Sequence, residues 1–285
     1  MNENKTNINW YPGHMAKTKR IIKENINLID VVYEVIDARM PYSSKIKDID
    51  VYLGNTKRII VMTKIDLCDM NETNKWIKYY ENKGYKVFPV NLENNPNLKY
   101  LFTLTDELLK EEKEKRAKKG MLPRKTRVLV VGIPNAGKST LINRLVGKKA
   151  AKTGNMPGVT KQVNWIRLNN DIELMDTPGI LWPKLDEEKV AFNLASLTSI
   201  KEEILPLDEV AKYILVRLAK YYPNLLEKRY GITAINDFEK TIELIGRKRG
   251  CLIKGGEVDP DKVYSTIIKD IKEGLIGGIT FDRCK

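Results

Sequence analysis

An α/β fold, with a mostly parallel sheet of about six strands followed by a helical domain, is predicted by three observations. Short apolar runs alternate with segments of helical spacing from residue 31 onward. A phosphate loop of the GxxxxGKS form, Gly132-Ile133-Pro134-Asn135-Ala136-Gly137-Lys138-Ser139, stands between an apolar run and a helical segment. Past about residue 200 the strand pattern ceases, and segments near 207–221, 237–246 and 260–273 carry helical periodicity. The expected division is a nucleotide-binding domain over 1–200, opening with a basic arm and helix over 1–29, and a helical domain over 201–285. A chain of 285 residues has room for one domain of about 180–200 residues and a smaller one.

Each element has its own signal. Residues 14–27 read as a basic helix with Ile21, Ile22 and Ile26 on one side. Asp30 precedes the run VVYEVIDARMP, an apolar strand ending in a charged loop before Pro41. A second strand, Arg58–Met62, delivers Thr63-Lys64-Ile65-Asp66. Residues 71–83 place Trp76, Ile77 and Tyr80 at helical spacing, and Gly84 ends that helix. The strand Tyr85–Val90 delivers Asn91, and residues 98–119 form a long helix. Arg127–Val131 is the strand before the phosphate loop, and a helix starts near Lys138. Segments 163–168 and 172–175 form a hairpin across Asn169-Asn170, closing on Asp176-Thr177-Pro178-Gly179.

Composition narrows the partners. Fifty Lys and Arg against 37 Asp and Glu leave a formal net charge of +13. That excess favours a polyanion, since neutralised phosphates release counterions. Nucleic acid fits better than membrane, because no amphipathic segment sets a Trp- or Phe-rich face beside a Lys-rich one. No run approaches 18 apolar residues, and the N-terminus lacks a secretory signal, so a cytoplasmic protein is expected. Cys68, Cys251 and Cys284 are scattered and only His14 accompanies them, which supports neither a disulfide scaffold nor a zinc site. Between Lys110 and Arg127 nine basic residues face three acidic ones, a solvated helix or an RNA-facing patch.

The nucleotide motifs assign chemistry to residues. The loop Pro134–Thr140, curled by the glycines and backed by a helix N-terminus, is expected to cradle phosphates with the backbone N–H groups of Asn135–Thr140. Lys138 is expected to reach the β and γ phosphates, and Ser139 to offer its hydroxyl to Mg²⁺. Asp176 closes an apolar strand where its carboxylate can meet the same Mg²⁺ through a water, and Gly179 can offer N–H to the γ phosphate. Thr160, after Pro157-Gly158-Val159, is the candidate switch threonine, meeting Mg²⁺ and the attacking water. The Asp66 carboxylate can accept from guanine N1–H and the 2-amino group, a pattern adenine does not present. Lys64 packs its stem over the base, and Asn91 and Leu92 lie one βα unit on, near guanine O6.

Two points bear on turnover. Where many GTPases place a glutamine after the glycine of the third motif, this chain has Ile180, which cannot align a water. Slow intrinsic hydrolysis follows unless another group enters. His14 is a candidate for that group, with an RNA-contacting or structural role as the alternative. Asn135 either helps hold a K⁺ ion beside the β and γ phosphates or stabilises its own loop.

The order of these motifs is unusual: Thr63–Asp66 comes about 70 residues before the phosphate loop. Tyr11-Pro12-Gly13-His14-Met15, Asp37-Ala38-Arg39-Met40-Pro41, Thr63–Asp66, Gly132–Ser139, Pro157–Thr160 and Asp176–Gly179 together resemble the RbgA/YlqF family of circularly permuted GTPases. The likeness runs from residue 8 to the C-terminus. It implies a circularly permuted P-loop GTPase fold and a role in late assembly of the large ribosomal subunit. It also implies contacts with rRNA and ribosomal proteins, particle-stimulated hydrolysis, and release when the particle matures. In the family an N-terminal histidine aids hydrolysis and a hydrophobic residue replaces glutamine; His14 and Ile180 match. The helical C-terminal part resembles the family's RNA-binding module, with Lys228, Arg229 and Arg247-Lys248-Arg249 as its basic points. One departure concerns the base reader. It usually begins with Asn, which braces the phosphate loop, and Thr63 has a shorter hydroxyl, which is expected to loosen nucleotide affinity while leaving Asp66 as the specificity determinant. A monomer is expected. The alternative of another class is an RNA-binding scaffold that holds GTP and turns it over negligibly.

Overall fold

Val31–Asp37 (β1) is buried along its whole length, as a strand with neighbours on both edges and helices on both faces must be. The computed structural model describes residues 13–47, 49–94, 96–147, 164–168, 171–177, 187–197 and 206–284, with the backbone alone at 13–17 and 164. Before β1 runs the helix Gly13–Asn25 (α1). After it come Ile49–Leu53 (α2), Lys57–Thr63 (β2), Met70–Asn82 (α3), Lys86–Val90 (β3) and Leu98–Lys118 (α4). Thr126–Gly132 (β4), Lys138–Val146 (α5), Asn164–Arg167 (β5) and Ile172–Asp176 (β6) follow. The described strands form one sheet ordered β3-β2-β1-β4-β6-β5. β5 pairs antiparallel with β6, and every other pairing is parallel.

Alternation along β2 divides the core. Ile60 and Met62 pack with Trp76 and Tyr80 of α3, whereas Ile59 and Val61 join the larger cluster on the other face. Asp69 starts α3 by accepting from the N–H groups of Asn71 and Glu72. Glu34 is a buried charge in the middle of β1. It accepts from Arg58 at 2.9 Å and from the Ile46 N–H at 3.2 Å, so its burial leaves no uncompensated charge.

Beyond the sheet lie Glu188–Ser196 (α6), Leu207–Tyr221 (α7), Pro223–Tyr230 (α8), Phe238–Arg249 (α9) and Pro260–Lys272 (α10). One apolar cluster runs from the sheet through α6, α7 and α10, and the expected boundary at 200/201 lies outside the described residues. After α10 the chain returns to the sheet. The Ile279 N–H donates to the Leu67 carbonyl at 3.1 Å and the Phe281 N–H to the Arg39 carbonyl at 2.9 Å. Asp282, fully buried, accepts from the backbone N–H groups of Tyr42 and Ser43, the Ser43 hydroxyl and the Asn193 amide. Burial pushes its carboxyl up from the usual range.

The helices α2, α6 and α8 have no counterpart in the sequence reading. α2 is five residues long, too short to display a period. In α6 every residue from Val190 to Ser196 is buried, so no polar face contrasts with an apolar one.

Candidate nucleotide-binding site

Parallel pairing puts the C-terminal ends of five strands on one edge. In register, Asp37 stands beside Thr63, Thr63 beside Val90, Val35 beside Gly132 and Val130 beside Asp176. The chain leaves β1 toward β2 and β3 and later returns on its other side as β4, so the edge between β1 and β4 is the topological switch point where open sheets of this kind bind ligands. Motifs far apart in sequence therefore converge.

The phosphate loop is built by close approach. A Cβ on Gly132 would lie 2.4 Å from the Val35 carbonyl oxygen, so only glycine lets β4 turn there. Gly137 has φ +98°, and a Cβ on it would meet Thr63 at 3.4 Å and Leu92 at 3.6 Å. The loop thus lies directly against the two base-side motifs. Pro134 and Ala136 are buried, and Ser139 and Thr140 stand half-buried in the first turn of α5.

Thr63 does brace the loop despite its short side chain. Its hydroxyl lies 2.6 Å from the Ala136 carbonyl and 3.0 Å from that of Ile36. A hydroxyl has one proton to give, and the shorter contact is the one to the phosphate loop. β2 ends close enough to the loop for this short hydroxyl to reach it. Lys64, held at φ 58°, donates from Nζ to the Asn135 carbonyl at 2.7 Å and pairs with Asp37 at 2.9 Å. Burial is the largest influence on the Lys64 ammonium and shifts it down, with the Asp37 carboxylate acting in the opposite direction. Asp66 sits exposed on the turn Ile65–Leu67, at the open end of the same edge. Asn91 spends its side-chain oxygen on the N–H groups of Glu93 and Asn94, which leaves its backbone for a ligand and fixes the turn carrying buried Leu92.

At the phosphate end, Lys138 is buried and donates from Nζ to the Ile133 carbonyl at 2.9 Å. Burial pulls its ammonium down to about 8, with Asp176 opposing. Burial also pushes the Asp176 carboxyl up to about 6, with Lys138 opposing. Its Oδ1 is buried without a hydrogen-bond partner in the protein. An unpaired buried carboxylate oxygen beside a hydroxyl-bearing helix start fits a hydrated Mg²⁺, with nucleotide phosphates completing the shell. No group of three or more His, Cys, Asp or Glu able to hold a metal by itself occurs among the described residues. Thr177 fixes the strand end by donating its hydroxyl to the Val130 carbonyl at 2.8 Å.

Thr160, Gly179 and Ile180 lie outside the described residues, as does the side chain of His14; its backbone belongs to α1. Asp37 and Arg39 enter the site without having been assigned a role from sequence. The available signal was the pair of charges, Asp37 and Arg39, closing a mainly apolar strand. On the opposite edge of the sheet, a cleft of about 480 Å³ lined by Asp30, Arg116, Leu122, Arg124 and Thr126 contains none of the nucleotide motifs.

Comparison with known proteins gives the same answer. The family described as "50S ribosome-binding GTPase" matches residues 127–239. The chain is 44% identical over 277 residues to ribosome biogenesis GTPase A of Priestia megaterium, covering 96% of each. The crystal structure of GNP-bound YlqF from T. maritima is 29% identical, with TM-score 0.67 over 94% of this chain and 98% of that one. GDP-bound TM YlqF gives TM-score 0.66 at 28% identity, over 93% and 99%. No described helix is long and apolar enough to cross a membrane. With the base reader ahead of the phosphate loop in sequence and against it in space, and with relatives matched nearly end to end, the chain belongs to the RbgA/YlqF family of ribosome-biogenesis GTPases, circularly permuted P-loop enzymes.

Proposed function

We propose that this GTPase binds precursors of the large ribosomal subunit through rRNA and ribosomal proteins, and that hydrolysis, stimulated by the particle, times its release. The observation that carries the nucleotide half is the pair of contacts joining Thr63 to Ala136 and Lys64 to Asn135. They join the TKID motif directly to the phosphate loop, which supports a single nucleotide spanning both. The partner half is supported by the relatives' names, the net charge of +13 and the basic end of α9.

In this reading Asp66 accepts from the guanine edge while the Lys64 stem covers the base. Lys138 leaves the Ile133 carbonyl for the β and γ phosphates. Ser139, Thr160 and, through water, Asp176 would hold Mg²⁺, which would supply positive charge to the phosphates. Water attacks the γ phosphorus in line and GDP leaves, with no covalent enzyme intermediate. Gly179 senses the γ phosphate. Because Ile180 cannot orient water, His14 is assigned that task when the particle is bound, and K⁺ held at Asn135 would add positive charge near the leaving group.

The test is GTP turnover by the full chain with and without purified large subunits, in K⁺ and in Na⁺. Strong stimulation by the particle, lost in His14→Ala, is expected. Turnover indifferent to the particle would favour a GTP-holding scaffold instead.

A further inference from the structure

We propose that Arg39 couples the base-reading lysine to the C-terminal helices, so that guanine nucleotide affinity and the docking of α10 share one free energy. This rests on Lys64 being the base-packing lysine.

The path is continuous, and its central residues are buried. Lys64 Nζ reaches Asp37 Oδ2 at 2.9 Å while it holds the Asn135 carbonyl of the phosphate loop. Asp37 receives a guanidinium fork from Arg39, Nε to Oδ1 at 3.0 Å and Nη2 to Oδ2 at 2.9 Å, with the Arg39 backbone N–H adding a third contact at 3.0 Å. Arg39 then turns its remaining edge to the C-terminal end of α10. Nη1 donates to the carbonyls of Ile271 at 2.8 Å and Lys272 at 3.1 Å. Asp37 and Arg39 are each 1% exposed. The backbone carbonyl of Arg39 also receives the Phe281 N–H, so the strap after α10 is tied to the same residue.

Physics makes this more than a clamp. A buried guanidinium needs its donors satisfied, and α10 supplies the two acceptors on one side while Asp37 supplies the other. Helix C-terminal carbonyls also favour a cation. Undocking α10 leaves Arg39 short of acceptors, free to rotate, and Asp37 without its fork. Lys64 then loses the carboxylate that fixes its direction. The Asp37 carboxyl is held well below the usual carboxylate range by Arg39 and Lys64 against the opposing effect of burial, so it remains charged and able to orient both. Coupling of this kind is reciprocal: whatever stabilises α10 in place tightens nucleotide binding by the same factor.

The experiment measures release of a fluorescent GDP analogue and hydrogen exchange over residues 276–284, on the full chain. In the unmodified protein, GDP is expected to slow exchange at Phe281 and Ile279, whose N–H groups bond Arg39 and Leu67. Arg39→Lys keeps the charge but loses the fork. It is expected to speed GDP release about fivefold or more and to abolish the GDP-dependent protection. Ile268→Ala, which trims the buried side of α10 outside this path, sets the effect of lost stability alone. The proposal is overturned if GDP gives the unmodified strap no protection. It is equally overturned if Arg39→Lys releases GDP no faster than Ile268→Ala at matched melting temperature. GDP affinity left unchanged by Lys64→Ala would instead overturn the base-lysine assignment, and this inference with it.

Discussion

The two edges of the sheet carry similar charge and use it differently. At the N-terminal edge, Arg124 meets Asp30 in a two-point pair, and Lys125, Arg127 and Arg167 gather around Glu173. These cations are between a third and four-fifths exposed, so water and salt screen them. At the C-terminal edge Asp37, Arg39, Lys138 and Asp176 are buried. There each charge depends on a few fixed partners, and an added phosphate or metal changes their balance strongly. Charge in contact with water confers solubility and weak affinity for polyanions. Charge withdrawn from water forms a binding site.

Substitutions can break that contrast in graded steps. Lys138→Ala removes the buried cation assigned above to the phosphates and should lower turnover by at least about 100-fold, measured as phosphate release at saturating GTP. Turnover within a fewfold of the parent would place the phosphates elsewhere. Asp66→Asn replaces one acceptor with a donor, and GTP binding should weaken by about 100-fold. Xanthine presents a carbonyl where guanine has its 2-amino group, so the same variant should recover affinity for xanthosine triphosphate. Calorimetry with both nucleotides decides the matter, and equal losses would remove Asp66 from the base site.

Asp176 offers a pH test. Its carboxyl titrates near 6 in the folded chain, above the ordinary 3.8, because burial opposes ionisation. Between those values the folded state holds more proton than the unfolded state, so this group lowers stability as pH rises from about 4 to 6. In nucleotide-free protein with chelator, the parent should lose on the order of 2–3 kcal/mol relative to Asp176→Asn across that window. Parallel denaturation curves would show an unshifted carboxyl.

Smaller effects lie at the brace and at the exposed edge. Thr63→Val deletes the 2.6 Å hydrogen bond to Ala136 and should weaken GDP binding by roughly 1 kcal/mol, somewhat under tenfold. Arg124→Gln breaks a pair open to solvent and should cost about 1 kcal/mol or less, leaving nucleotide release unchanged. A change in GDP affinity there would mean that the two edges communicate, against the contrast drawn above.

Much of the fold was legible because its strands are simple. Val31–Asp37 and Arg127–Val131 are short apolar runs with turn signals after them, and the hairpin around Asn169-Asn170 has the alternation of a half-covered edge. The phosphate loop was legible because its glycines and Lys138 answer to local backbone geometry. α6 was not, since burial on every side erases the period. Nor was the role of Arg39, whose partners are 232 and 233 residues away. Nor was the contact of Thr63 with Ala136, which depends on the distance between a strand end and a loop 73 residues apart in the chain.

By itself, the order of residues determined which groups this protein possesses: a phosphate loop, a TKID motif with its Asp66 carboxylate, an isoleucine where glutamine is common, and a surplus of positive charge. Local chemistry reaches only a few residues along the chain, and those features need no more. The tertiary structure alone decided that the motif and the loop touch, that Lys138 and Asp176 titrate against each other, and that α10 closes over Arg39. Those outcomes depend on removing charges from water and on distances between strand ends. Neither quantity exists until parallel pairing has brought the ends together.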